Sequence, residues 1–140
     1  MAHILHVYNK SGLDIAFLCP PRHNSVVAIL TTTHPVLQND YATYASLCDE
    51  NLTCIEPETG GNITTGLEFH KYYFDLPRSP GPPAQNTMCD FSARIFGSVA
   101  VVTYNRVVQV GHETTVTQET RIWHSDDLKN WKNIHFHRSN

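Results

Sequence analysis

Residues 98–110 read SVAVVTYNRVVQV and decide the fold, because residues that favour β-strands dominate the stretch. A Gly-His pair follows at 111–112, and residues 114–124, TTVTQETRIWH, are again rich in residues that favour β-strands. This pattern predicts two long strands joined by a tight hairpin turn. After a polar turn over 125–130, residues 131–138, WKNIHFHR, predict a last strand. The C-terminal part of the chain is therefore expected to be a run of antiparallel strands.

Short helices are expected before these strands. Asp40 predicts an N-cap for a helix over 41–48, whose apolar positions share one face. A short strand is predicted over 52–55. A second helix is predicted after Gly66, and it ends before the proline-rich loop 77–86. Helices early and strands late indicate the α+β class.

The first part of the chain gives weaker signals. Residues 26–37, VVAILTTTHPVL, have helix-compatible apolar spacing, but Pro35 and three consecutive threonines oppose an undisturbed helix. We expect a broken helix or an irregular segment there. Residues 1–25 show no steady period and are expected to form an atypical, irregular N-terminal segment. Residues 26–140 are then expected to form one domain.

Composition limits the classes of function. With 140 residues, 41% of them hydrophobic and 16% charged, the chain can build a globular core. Its net charge of −3 argues against nucleic acid as a partner, since that affinity rests on neutralising phosphates. No apolar run reaches membrane-spanning length, so no membrane partner is expected.

The cysteines indicate a reducing compartment. Cys19, Cys48, Cys54 and Cys89 show no short CxxC spacing, and the N-terminus lacks the pattern of a signal peptide. We therefore expect reduced thiols in a cytoplasmic protein. The motifs of serine hydrolases, nucleotide-binding loops and zinc proteases are missing from the sequence, so no catalytic residue is predicted.

Each of the last three strands carries one arginine on a largely apolar face. Alternation places Arg106 with Val102 and Tyr104, Arg121 with Glu119 and Trp123, and Arg138 with Ile134 and Phe136. If these faces line a common concave interior, three guanidinium groups point into it, with Glu119 and Glu56 as available partners. Surplus positive charge would suit a small carboxylate. Alternatively, the arginines simply pair with glutamates in the core or across a subunit contact.

The histidines and one tyrosine also allow two interpretations. His135 and His137 share a strand face, and with His124 they suggest a metal site, but no local spacing fixes a third ligand. An exposed polar face is the other interpretation, and we predict no metal site. His70 and Tyr44 lie on faces of the predicted helices. Each is interpreted either as a semi-buried core residue or as a residue that lines a pocket.

Several longer stretches then resemble one family. Residues 118–124 (QETRIWH) and 131–139 (WKNIHFHRS) resemble the C-terminal half of the association (hub) domain of calcium/calmodulin-dependent protein kinase type II. Upstream, Tyr41 to Tyr44, the Glu-Pro-Glu run at 56–58, and residues 66–74 (GLEFHKYYF) match as well. The resemblance covers about residues 38–76 and 87–139.

The resemblance implies a fold and a function. The fold is that of the nuclear-transport-factor-two-like superfamily, a cone-like α+β domain with a curved antiparallel sheet wrapped around a long N-terminal helix. That helix would precede Asp40, where this chain has TTTHP. The function is self-association into two stacked rings of six or seven subunits, possible partners being the hub domains of a full-length kinase. The hub itself is not catalytic and needs no cofactor.

The resemblance also implies a ligand cavity. Arg106, Arg121 and Arg138 match the three arginines of the family's cavity, and further lining positions match His70, Tyr44 and Glu56. Small carboxylates bind there in some members. A different interpretation is a cavity enzyme of the same superfamily, of the isomerase, dehydratase or cyclase type, in which a Glu or His is the base and arginines stabilise an enolate.

Overall fold

The computed structural model describes residues 3–8, 14–19, 40–77, 81–82 and 84–139. The helices are α1 (Tyr41–Leu47) and α2 (Glu68–Asp75), and the strands are β1 (His3–Tyr8), β2 (Asp14–Cys19), β3 (Cys48–Ile55), β4 (Thr64–Thr65), β5 (Gln85–Phe96), β6 (Val99–Val110), β7 (Glu113–His124) and β8 (Lys132–Arg138). A 3₁₀ turn, Pro57–Thr59, follows β3. The short helices followed by long strands confirm the α+β class.

Six strands form one open, mixed sheet in the order β4-β3-β8-β7-β6-β5. Four of its pairings are antiparallel, but β3 and β8 run parallel. The expected antiparallel sheet therefore includes one parallel pairing, between β3 and β8. After β3 the chain passes through α2 and enters the far edge strand β5 in the opposite direction. Three successive reversals then bring β8 back alongside β3 in the same direction.

The β6–β7 hairpin agrees with the prediction. Val110 pairs with Glu113, so Gly111 and His112 alone form the turn. Gly111 has a φ of 61°, a left-handed conformation that a residue without a Cβ adopts at little cost. The two strands pair without a register shift, and alternate residues are buried on one face: Ala100, Val102, Tyr104, Glu119, Arg121 and Trp123.

The chain before Asp40 is described only in β1 and β2. These strands pair antiparallel, from His3 opposite Cys19 to Tyr8 opposite Asp14. This hairpin was not expected from the sequence, because residues 1–25 lack a clear period of hydrophobic residues. The predicted broken helix over 26–37 and the long N-terminal helix lie outside the described residues. The division of the chain at residue 26 stays a prediction.

A β-bulge lies in the edge strand β5. Its register with β6 shifts between Cys89 and Ser92, where Asp90 has a left-handed φ of 55°. The Asn105 side chain donates a hydrogen bond from Nδ2 to the Asp90 carboxylate at 2.6 Å, which fixes the bulge to β6. A bulge bends and twists its strand, so this edge contributes to a concave inner face.

A second bulge changes which residues of β8 face the core. Ile122 pairs with His135 and Trp123 pairs with Asn133, so Ile134 is an extra residue. Asn133 and Phe136 are consequently both buried although they are three positions apart. The strict alternation that placed Ile134 on the face of Phe136 therefore fails at the bulge.

Among the described residues, most of the buried hydrophobic side chains form two clusters. One lies on the inner face of β6 and β7 and in the segment before β8: Ala100, Val102, Tyr104, Trp123 and Trp131. The other packs α1 against β3 through Tyr44, Cys48 and Leu52. Asp40 caps α1, since its side chain accepts a hydrogen bond from the Thr43 amide at 3.0 Å. Within the described part of the chain, no helix is long and apolar enough to cross a membrane.

Asp127 holds the turn between β7 and β8. Its Oδ1 accepts hydrogen bonds from the Lys129 and Asn130 amides at 2.8 and 2.7 Å and from Ser125 Oγ at 2.9 Å. These bonds, led by the one from the Asn130 amide, lower the pKa of Asp127 well below its usual range. Leu128 between them has a left-handed φ of 58°, which the carboxylate network must maintain.

We predict that Asp127→Ala lowers the Tm, because the turn loses these acceptors, while Asp126→Ala does not. The Asp126 side chain is 97% exposed, which makes it a matched control. Since folding depresses the pKa of Asp127, its stabilisation is present above the unfolded-state pKa of about 3.9 and is lost as the pH falls. The Tm gap between the unaltered protein and Asp127→Ala should narrow below about pH 4. Equal effects of the two variants, or a gap independent of pH, would contradict the prediction.

Candidate functional site

A cavity of about 220 Å³ lies between the helices and the inner face of the sheet. Residues of α1, α2, β6, β7 and β8 contribute to its walls, together with the segment that follows β3. Tyr44, Glu56, His70, Arg106, Arg121 and Arg138 are among its lining residues. The volume fits a small metabolite rather than a drug-sized molecule.

Glu119 organises the charged wall of this cavity. Its side chain is 1% exposed. Glu119 accepts a hydrogen bond from Tyr104 Oη at 2.5 Å and lies 3.4 Å from Arg121 Nη2 and 3.5 Å from Arg106 Nη1. A carboxylate this deeply buried requires partners for its charge. Glu119 is therefore the common counter-charge of two cavity arginines.

Arg121 is held on several sides. Its Nε donates a hydrogen bond to Tyr104 Oη at 2.9 Å, and its Cζ lies 4.0 Å from the centre of the Phe136 ring. With the Asn133 amide oriented so that its oxygen faces Arg121, Nη1 donates to it at 3.0 Å. Burial opposes the charged form, but Tyr104 and Glu119 outweigh it and keep the pKa of Arg121 above its usual range. Arg121 is therefore a fixed positive charge.

A second polar chain runs from β8 to α1. Arg138 Nη2 donates a hydrogen bond to Glu56 Oε2 at 3.1 Å and also contacts the Glu58 carboxylate. His70 Nε2 lies 2.8 Å from Glu56 Oε1, and His70 Nδ1 lies 2.8 Å from Tyr44 Oη. Glu56, His70 and Tyr44 are buried. The helices are thereby tied to the sheet across the cavity.

Burial and neighbouring charges set the protonation of these groups. Burial raises the pKa of Glu56, but the hydrogen bond and charge of His70, together with Arg138 and Arg121, outweigh it and lower that pKa. Burial raises the pKa of Tyr44 far above its usual value and that of Tyr104 to about 12. At neutral pH Glu56 is therefore ionised, and both tyrosines are neutral.

The hydrogen bonds within the protein do not use every donor of the cavity arginines. Arg138 Nε is buried and has no hydrogen-bond partner among the described residues. Arg106 Nε donates a hydrogen bond to Asn86 Oδ1 at 2.9 Å. The Arg106 side chain is nevertheless 22% exposed. An anion that enters the cavity would meet guanidinium groups that are already positioned.

Several lining residues were not predicted from the sequence. Glu58, Tyr73, Phe74 and Phe136 also line the cavity. Phe136 lies two positions before Arg138, so alternation already placed both on one face. Tyr73 and Phe74 follow His70 by one helical turn, which is the available signal for them. The structure thus brings all six predicted site residues into one cavity, whereas their role in binding a ligand stays a prediction.

His124, His135 and His137 do not come together as a metal site within the described part of the chain. His135 Nδ1 lies 2.8 Å from Thr53 Oγ1, and burial lowers the pKa of His135. His124 Nε2 lies 3.7 Å from the exposed Asp126 carboxylate. Within the part of the chain that the structure describes, His124, His135 and His137 form no group of metal ligands.

We predict that Glu119→Gln destabilises the fold by about 3–5 kcal/mol, because Arg121 keeps its buried charge and loses its carboxylate partner. Glu113→Gln is the matched control, since Glu113 is exposed at the other end of β7, and its effect should stay within about 0.5 kcal/mol. Urea unfolding at one protein concentration measures both. A loss of under about 1 kcal/mol for Glu119→Gln would show that the buried pair is not the main anchor.

Comparison with known proteins identifies relatives of the whole domain. The calcium/calmodulin-dependent protein kinase type II alpha chain of Drosophila melanogaster is 34% identical over 156 aligned positions, which cover 95% of this chain. The alignment covers only 29% of that kinase, so this chain spans less than a third of its relative.

Solved structures agree with this relationship. The calcium/calmodulin-dependent protein kinase II hub of S. rosetta is 37% identical, with a TM-score of 0.76, and the match covers 86% of this chain and 97% of the hub. An NTF2-like protein from Cytophaga hutchinsonii superposes with a TM-score of 0.64 over 84% of this chain and 98% of its own. It is 21% identical, so it supports the fold alone.

The family assignment rests on the same part of the chain that forms the sheet and the cavity. Residues 22–140 match the family described as the calcium/calmodulin dependent protein kinase II association domain. That range includes both helices and all six strands of the large sheet. The chain belongs to the calcium/calmodulin-dependent protein kinase II association domain family.

Proposed function

We propose that this chain is a cytoplasmic self-association module that forms a closed oligomer of two stacked rings, with six or seven subunits in each. The observation that carries the proposal is the match to nearly the whole S. rosetta hub, which covers 97% of that chain. The same contacts would admit the hub domains of a full-length kinase. We infer that the module itself is non-catalytic, and its match to an association domain supports this.

Exposed apolar side chains support a self-associating surface. Tyr72 on α2 is 62% exposed, Phe96 at the end of β5 is 56% exposed, and Val116 in the β6–β7 hairpin is 47% exposed. They lie on different elements, as two kinds of contact require. A ring needs a side-to-side contact between unlike surfaces, and stacking two rings needs a self-complementary one.

The outward face of the large sheet offers further contact area. Val101 and Val107 on β6 and Ile122 on β7 are half-buried, on the side opposite Tyr104 and Glu119. Val101 pairs with Ile122, which pairs with His135, and Val107 pairs with Val116 farther along the same face. Large obligate contacts are more apolar than ordinary protein surfaces, and these two apolar pairs fit that composition.

We predict a single solution mass of about twelve to fourteen copies of the 15.8 kDa chain. Light scattering coupled to size exclusion measures it. The control is a tenfold dilution series, because a closed ring keeps its mass whereas an open chain of head-to-tail contacts shrinks on dilution. A monomer or dimer throughout the series would refute the assembly.

We also propose that the cavity binds a small carboxylate. Arg106, Arg121 and Arg138 line the cavity and supply the positive charge, and the partly exposed side chain of Arg106 is accessible to a ligand. Glu56 does not fit the role of a base in a cavity enzyme, because its neighbours lower its pKa and Arg138 holds it in an ion pair. A carboxylate ligand uses the same charges without a proton transfer.

We predict that butyrate binds at neutral pH and that neutral butyramide does not, as measured by isothermal titration calorimetry. Arg106→Gln should weaken butyrate binding about 10-fold to 100-fold, since a hydrogen bond to a charged group contributes about 1.5–3 kcal/mol. Arg94→Gln is the charge-matched control, because Arg94 is exposed and stacks on Phe96. Equal losses in both variants would indicate an effect of net charge rather than a site in the cavity.

A further inference from the structure

Three different metal-binding side chains meet at one buried point beside the cavity. The ligand atoms of Cys54, Glu56 and His70 all lie within 4.8 Å of one another, and all three residues are buried. We propose that they form a binding site for one zinc-class divalent cation, with Cys54 Sγ, Glu56 Oε1 and His70 Nε2 as the ligands. The fourth position would be filled by water or by an anion from the cavity.

The backbone already presents the three groups to one another. Cys54 lies on β3 and Glu56 follows two positions later, so extended backbone directs both side chains to the same face of the sheet. His70 approaches from the first turn of α2, after the chain has passed through the turn at Gly60 and Gly61. The site therefore joins a strand to a helix that crosses it.

The distances are close to those of a tetrahedral site. Cys54 Sγ lies 3.7 Å from Glu56 Oε1, and His70 Nε2 lies 2.8 Å from the same oxygen. Around a tetrahedral Zn²⁺ the sulfur and oxygen ligands are about 3.6 Å apart, and the nitrogen and oxygen ligands are about 3.4 Å apart. The separation of Cys54 Sγ and Glu56 Oε1 thus already fits such a site, and the imidazole needs to move by roughly half an ångström from Glu56.

Each ligand has a second group that orients it. His70 Nδ1 lies 2.8 Å from Tyr44 Oη, so a proton on Nδ1 can be donated to the tyrosine while Nε2 faces the cation. Thr64 Oγ1 lies 2.7 Å from Cys54 Sγ and can donate to a thiolate. Arg138 binds Glu56 through Oε2, which leaves Oε1 for the cation. Such outer partners are typical of metal sites.

The local charges permit a cation. Arg138 is close to Glu56, but it also contacts the carboxylate of Glu58, so two carboxylates surround this one guanidinium and leave negative charge for a cation. Burial raises the pKa of the Cys54 thiol, so that thiol carries a proton before the cation arrives. Binding replaces this proton: the Cys54 S–H bond breaks, an S–Zn bond forms, and H⁺ leaves to solvent. The proton of the hydrogen bond between His70 and Glu56 also leaves Nε2, so that Nε2 can bind the cation while His70 keeps a proton on Nδ1.

The donor set selects the class of ion. One thiolate, one imidazole and one carboxylate suit Zn²⁺ or Co²⁺, which accept sulfur and nitrogen in tetrahedral sites. Mg²⁺ and Ca²⁺ prefer sites built of oxygen ligands, so neither fits these three side chains. Three protein ligands beside a cavity leave a coordination position open.

The test is titration of the metal-free protein with Co²⁺ and Zn²⁺. We expect one Co²⁺ per chain, with strong four-coordinate visible bands and a near-ultraviolet thiolate-to-cobalt band, both displaced by Zn²⁺. Cys54→Ala should abolish the thiolate band and weaken Zn²⁺ binding at least 100-fold. Cys89→Ala is the matched control, since Cys89 is a partly exposed thiol at the β5 bulge, and it should behave like the unaltered protein.

A measurement on the unaltered protein tests the proposal even if the Cys54→Ala variant fails to fold. X-ray absorption of the Zn²⁺-loaded chain should show one sulfur neighbour at about 2.3 Å beside nitrogen and oxygen neighbours. Weak six-coordinate cobalt bands, or a shell without sulfur, would assign the ion to surface histidines and overturn the proposal. Retention of the thiolate band in Cys54→Ala would overturn it as well.

Discussion

The buried contact between Glu119 and Arg121 is the constraint on which the other parts of the cavity depend. Both side chains project from β7 onto the inner face, and Tyr104 bridges them from β6. Neither charge could remain in the core without the other, because an uncompensated buried ion costs several kcal/mol, roughly the stability margin of a small domain. The pairing of β6 with β7 therefore also fixes where the positive wall of the cavity stands.

The β8 bulge adapts the sheet to that pair. A regular strand would place either Asn133 or Phe136 on the inner face, but the extra Ile134 allows both to be buried there. Asn133 can then accept a hydrogen bond from Arg121 while Phe136 stacks on its guanidinium plane. The bulge thus provides a polar and an apolar contact to one side chain, as a buried arginine requires.

The sequence predicted the parts of the molecule that depend on local patterns. Strand alternation placed Arg121 and Glu119 on one face of their strand and Arg106 with Tyr104 on one face of the preceding strand, and Gly111 marked the hairpin turn. Prediction from local patterns failed at two places. The extra residue Ile134 in β8 changed which side chains face inward, and the crossover through α2 made β3 and β8 parallel. The meeting of Cys54 with His70 depends on that same crossover. No spacing along the chain reports it, and alternation relates Cys54 only to Glu56.

Glu56 belongs to both proposed sites, and this sharing has a thermodynamic consequence. Its Oε2 holds Arg138, which faces the carboxylate pocket, while its Oε1 faces His70 and Cys54. A cation bound at Oε1 withdraws negative charge from Arg138 and adds positive charge next to the cavity, so an anion there gains attraction. By linkage the anion strengthens cation binding by the same factor. The two ligands would therefore bind cooperatively, and Glu56 would transmit the coupling without any change of fold.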